Sequence, residues 1–141
     1  MKFGWELKDK KLMPQKKDKD ELYLLGGSMK ELLITWSGLY LQLARIYCLN
    51  KDYKKADGAF DESLLYLYEK VMYLDYNLIM LEKGINMYNY DKIEAVKILK
   101  NYIQKIEKYP LDKPSISDSE RDKEYVKSIL GSSKKLIFDV L

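Results

Sequence analysis

Three groups of side chains in this sequence could do chemistry. Asp57 and Asp61 stand four residues apart, with Glu62 beside the second. That spacing sets two carboxylates on one face of a helix, where a shared pocket would support acid–base work. Beside Lys54 and Lys55 the same acids also suit a solvated outer face, and that reading is preferred. Met72, Met80 and Met87 with Ile79 could form an adaptable binding groove or simply fill a core. Lys97, Lys100, Lys105 and Lys108, with Lys134 and Lys135, could face phosphates, although Glu94 and Glu107 interrupt the strip. Cys48 lies in an apolar stretch without a neighbouring base, so it reads as a structural thiol rather than a nucleophile.

What the sequence lacks narrows the chemistry further. There is no His among the 141 residues. This removes His-dependent triads, His-bearing zinc sites and proximal ligation of haem. Gly26-Gly27 is a linker and not a phosphate-cradling loop, so no cofactor, no metal and no catalytic residue is expected. Net charge is only +3, and of the 25 basic residues only Arg45 and Arg121 are arginine. A dedicated nucleic-acid binder is more basic and richer in Arg. The single Cys rules out an internal disulfide and suits a reducing, cytoplasmic setting. No leader-like apolar run follows the first residues. Residues 32–49, LLITWSGLYLQLARIYCL, carry one charge and approach the length of a spanning helix. Thr35, Ser37, Gly38 and Gln42 dilute the segment, so it is expected as a buried central helix and not as a membrane anchor.

The elements that must position these side chains are helices. Residues 1–27 read as a separate, irregular, Lys-rich arm around Pro14, with Phe3, Trp5 and Leu7 alternating as in a short strand. The first long helix opens at Ser28 with Glu31 in capping-box spacing, then carries Leu32, Trp36, Leu39/Tyr40, Leu43 and Tyr47. Leu33, Leu41, Ala44 and Cys48 cover its other side, so a neighbour or a partner chain must share it. Asn50-Lys51-Asp52 reverses the chain. Phe60, Leu64, Leu67, Val71, Leu74, Leu78, Leu81 and Ile85 then form a heptad seam, read as one long rod with its weakest point at Asp75–Asn77. A third helix starts at the cap Asp91, carries Ala95, Leu99, Tyr102 and Ile106, and stops at Pro110. Ser117-Asp118-Ser119-Glu120 caps a fourth, with Val126, Leu130, Ser133, Ile137 and Val140 on one stripe.

Tyr47, Tyr53, Ala56 and Phe60 resemble the signature of a tetratricopeptide-type helical hairpin over residues 36–68: aromatic, aromatic at the turn, small residue, bulky residue. Tyr90, Ala95, Leu99 and Pro110 form a poorer second copy. The resemblance implies a surface for protein partners. The same hairpin also resembles the opening of a HEPN four-helix domain, whose catalytic Arg-and-His motif has no counterpart here. That kinship would imply a catalytically dead scaffold. Size and helicity are similar to those of the small helical subunits of type III CRISPR effectors, which line nucleic acid.

The expectation is an all-α domain over 28–141, a four-helix up-down bundle or two stacked helical hairpins, preceded by the arm. Its expected role is a non-enzymatic interaction module that self-associates or docks on a larger complex. Trp36, Tyr40, Tyr68, Met72 and Ile79 are the candidate partner-binding residues. Lys97, Lys100, Lys105 and Lys108 serve the rival reading, a helical nucleic-acid-associated subunit of a prokaryotic defence complex.

Overall fold

The computed structural model describes the backbone of residues 5–8, 11–14, 16–108 and 120–140, and the side chains of 19–108 and 124–139. The chain runs through a two-stranded antiparallel hairpin, β1 (Trp5–Lys8) and β2 (Lys11–Pro14), into six helices. These are α1 (Lys16–Leu25), α2 (Gly27–Leu49), α3 (Tyr53–Leu65), α4 (Tyr73–Met87), α5 (Lys92–Glu107) and α6 (Glu120–Val140). Apart from the small hairpin the fold is all-α, as the periodicity demanded. Phe3, the stop at Pro110 and the cap at Ser117–Ser119 fall outside the described residues.

Two cores divide the molecule. Leu22 and Tyr23 of α1, Leu33, Tyr40 and Ala44 of α2, and Ala56, Phe60 and Leu64 of α3 form the first. Leu74, Leu78 and Leu81 of α4, Leu99, Ile103 and Ile106 of α5, and Val126 of α6 form the second. Ile79 of α4 turns into the first core, with Tyr76 and Met80 half-buried against it, so α4 is the wall between them. The α2–α3 and α4–α5 hairpins stack through α3–α4, and α6 closes over α4 and α5.

The arm is more ordered than its Lys-rich composition predicts. Lys16–Leu25 is helical, because Leu22 and Tyr23, one beside the other, reach the first core, and Lys19 is buried with them while Asp20 is half-buried. At the joint, Gly26 takes φ 74° and ψ −156°, a conformation open essentially only to glycine. This tight joint also displaces the expected capping box: α2 starts at Gly27, and neither Ser28 nor Gly26 supplies a side-chain cap.

The turn after α2 is a Schellman motif. Lys51 sits at φ 60°, its amide donates to the Cys48 carbonyl, and the Asp52 amide donates to the Tyr47 carbonyl. A residue with a Cβ is strained there by about 1 kcal/mol. Replacing Lys51 with glycine should therefore raise stability by about 1 kcal/mol, read as a higher urea midpoint with unchanged slope.

The single rod expected over Phe60–Ile85 is broken, not at Asp75–Asn77 but at Tyr66–Met72. Neither Gly nor Pro causes the break. Aromatic and β-branched residues lower helix propensity in this stretch, and tertiary packing decides the rest. Tyr66 turns fully inward, stacked on Tyr40 with ring centroids 5.8 Å apart and tilted against Trp36 at 5.9 Å. Its carbonyl accepts a hydrogen bond from the Tyr23 hydroxyl of α1. The seam residues remain buried or half-buried except Val71, which lies in the break and is exposed. The pattern of burial was right and the continuity was not. At α5 the expected cap is present: the Asp91 carboxylate accepts from the Glu94 amide at 3.2 Å.

Candidate interaction surface

α2 buries one narrow face and exposes a broad one. Leu33, Ser37, Tyr40 and Ala44 point inward at a spacing of four, three and four. The polar member of that face is matched: Ser63 Oγ donates to the Ser37 carbonyl at 2.8 Å, and the two hydroxyls lie 3.0 Å apart. With its hydrogen committed to the carbonyl, Ser63 Oγ accepts from Ser37 Oγ.

The outward face carries Leu32, Leu39, Leu43 and Ile46, with half-buried Trp36 at its edge. Leu39 is 62% exposed and Ile46 52%, well beyond the scattered apolar exposure usual on a surface. No charged residue falls between Leu32 and Ala44. By length and composition α2 could cross a membrane, yet only 22% of its most apolar window is buried within this chain. The helix is therefore not buried all round, as its composition predicted. Its apolar surplus faces outward.

The candidate partner-binding residues separate accordingly. Tyr40, Met72 and Ile79 lie inside the first core, where they build the fold and offer no surface. Tyr68 is half-buried beside Tyr23, with ring centroids 6.3 Å apart. Only Trp36 borders the outward row. Leu39 and Leu43 were visible in the sequence as part of a stripe, but two stripes were equally apolar there. The buried one contained a serine, whose partner Ser63 is 26 residues away.

The lysines of α5 do not form a free cationic strip. Lys97 pairs with Glu94 at 3.2 Å, and Lys105 lies 3.9 Å from Glu69 and over the Tyr102 ring. Across on α6, Lys134 meets Glu107 at 2.5 Å. Lys100 and Lys108 are exposed. Asp61 is exposed, as the solvated-face reading expected, whereas Asp57 is half-buried; both also reach Lys83 of α4, Asp57 at 3.9 Å and Asp61 at 2.5 Å. Burial raises the Asp57 carboxyl above its ordinary range, with Lys83 pulling it back and Asp61 pushing it further up. A cleft of about 670 Å³ opens beside Asp61 and Lys83, lined also by Tyr68, Tyr76 and Met80. Its Asp61 and Lys83 already neutralise one another. Cys48 donates its S–H to Asn86 Oδ1 at 3.1 Å, and burial pushes the thiol up, so it is a structural group. Among the described residues no cluster of acids and Cys is placed to hold a metal ion.

Burial raises five tyrosines, Tyr23, Tyr66, Tyr76, Tyr90 and Tyr102, and makes the fold sensitive to base. Burial, then Tyr40 and Glu62, push Tyr66 up to about 12; burial, then Asp57, pushes Tyr90 up to about 12. Both lie above the ordinary value of 10.0. Their contribution to stability is complete below pH 10 and is lost as pH climbs from 10 towards 12. Circular dichroism should show the wild type unfolding in that window, and Tyr66→Phe should move the onset upward. An onset unmoved by Tyr66→Phe would rule out Tyr66 as its source.

Comparison of the chain with protein-family models, with curated proteins and with solved structures gives no match.

Proposed function

We propose that this protein is a non-enzymatic helical interaction module that associates with protein through the outward face of α2. One observation carries the reading: a row of large apolar side chains, free of charge from Leu32 to Ala44, faces away from both cores. Burying such a row is favourable by roughly 25 cal/mol per Å² of apolar surface. The tetratricopeptide-like spacing of Tyr47, Tyr53, Ala56 and Phe60 supports the same class of role. The nucleic-acid reading has less support, since Lys97 and Lys105 are paired with acids.

A photo-reactive residue placed at position 39 tests this in the full-length protein, with one at Ile93 of α5 as the control. Cross-linking to protein is expected from position 39 and not from position 93. Products confined to lipid would defeat the reading. The nucleic-acid alternative predicts oligonucleotide binding whose affinity falls steeply between two salt concentrations. No binding at about 50 mM salt removes it.

A further inference from the structure

The cleft beside Asp61 and Lys83 has the size of a small-molecule site. Its volume of about 670 Å³ falls within the roughly 300–1,000 Å³ typical of ligand pockets. It opens between α1, the end of α3, the break at Tyr66–Met72 and α4, and no residue of α2 lines it. Leu64, Leu67 and Met80 give it apolar walls, and Tyr68 and Tyr76 give it aromatic ones. We propose that this cleft binds a small monocationic amine, one ammonium group carried on an aromatic or alkyl body. The site stands apart from the outward row of α2 and does not depend on it.

Charge selects the sign of the ligand. Three acids line the cleft, Asp20, Asp61 and Glu69, against two lysines, Lys19 and Lys83. Asp61 and Lys83 pair at 2.5 Å, and Lys19 lies 4.0 Å from Asp20. Lys83 is also shared, since Asp57 draws on it from 3.9 Å. Glu69 is the lining charge left over. Its cation, Lys105, is outside the lining residues at 3.9 Å, and both side chains are over a third exposed, so water screens that pair. Burial and then Glu69 push the Tyr76 phenol up, and Glu69 outweighs the opposing pull of Lys83. The wall at Tyr76 is therefore electronegative, in a chain whose net charge is +3.

The walls select the kind of cation. Among the described residues no group of acids is placed to hold a metal ion, so the charge calls for an organic cation. The chain already seats cations on tyrosine: Lys105 Nζ lies 4.8 Å from the Tyr102 ring centroid, and Lys92 Nζ 5.4 Å from that of Tyr88. Tyr68 is the neighbour of Glu69 in sequence and Tyr76 feels its charge, so an ammonium beside Glu69 can use the same ring attraction. A bare ammonium, or one Lys or Arg side chain of a protein, would leave most of the volume unfilled. An apolar body covers Leu64, Leu67 and Met80, whose burial adds to the charge attraction. With one unmatched charge in a cleft open to water, the affinity is modest.

Titration calorimetry of the full chain with phenethylammonium at low salt should give a dissociation constant of about 0.1–1 mM. Phenylacetate and phenethyl alcohol have nearly the same shape and should each bind at least about tenfold more weakly. Amide resonances of Tyr68, Glu69, Tyr76 and Lys83 should shift with the amine, and that of Ile93 on α5 should not. Glu69→Gln should weaken the amine by about tenfold with unchanged circular dichroism. Glu94→Gln, at an acid on α5 outside the cleft, should bind as the wild type does. No binding of the amine at about 10 mM would overturn the proposal. Equal affinity for the amine, the acid and the alcohol would overturn its choice of a cation. An unchanged constant in Glu69→Gln, or shifts confined to other residues, would overturn the site. Binding of N-acetyl-lysine amide as tight as that of phenethylammonium would overturn the small-molecule assignment in favour of a protein's basic side chain.

Discussion

Arg45→Met should destabilise the protein by about 3 kcal/mol, well beyond the effect of an exposed ion pair. The Arg45 guanidinium donates two bonds to Glu82 of α4, at 2.7 and 3.1 Å, and one to the Tyr125 hydroxyl of α6 at 2.8 Å. It also lies 5.7 Å from the Tyr125 ring centroid. Methionine keeps the aliphatic bulk but leaves the Glu82 carboxylate, only 10% exposed, without its cation. The penalty is the cost of that stranded charge and not the net worth of the pair. Glu82→Gln in the same background should recover much of the loss, because a neutral amide tolerates the site. Urea unfolding of the four members of this cycle would measure the coupling. Independent, additive effects would show that Arg45 and Glu82 are not a working pair.

Leu99→Ala should cost a comparable amount, about 3 kcal/mol, by opening a cavity where α4 crosses α5. Leu99 is completely buried, and the crossing is close because position 84 is glycine. A Cβ at Gly84 would lie 2.8 Å from Leu99 Cδ2, 3.1 Å from Leu99 Cγ and 3.3 Å from Ile98 Cγ2. Gly84→Ala alone therefore sets overpacking against a gain in helix propensity of about 1 kcal/mol. In the double variant the new methyl occupies space that Leu99 vacates. Its cost should fall below the sum of the single costs by about 1 kcal/mol. Simple additivity in thermal or urea unfolding would mean that the two helices move apart rather than clash.

How much of this was legible in the sequence depended on whether its causes were local. The Asp91 cap and the reversal at Asn50–Asp52 are local, and both are present. The heptad seam fixed which side chains go inside, since period alone chooses a face. It could not show that the helix stops at Leu65. That break depends on Tyr66 meeting Trp36 and Tyr40, and on a hydroxyl from Tyr23, 43 residues away. The face of α2 was ambiguous for the same reason. Two stripes were apolar, and burial went to the one containing Ser37 because Ser63 waits opposite. The arm misled through composition: its Lys and Asp residues suggested solvation, while Leu22 and Tyr23 were enough to anchor a helix.

The position of α4 between the two cores limits how this chain can be subdivided. A tandem hairpin protein can lose or gain a unit, because each unit completes its neighbour. Here a cut after Met72 strips Ile79 from one half, and a cut after Met87 orphans the α5–α6 pair. Neither fragment would inherit a closed interior. Trimming, duplication or circular rearrangement of the gene should be tolerated only where the middle helix travels with both flanks.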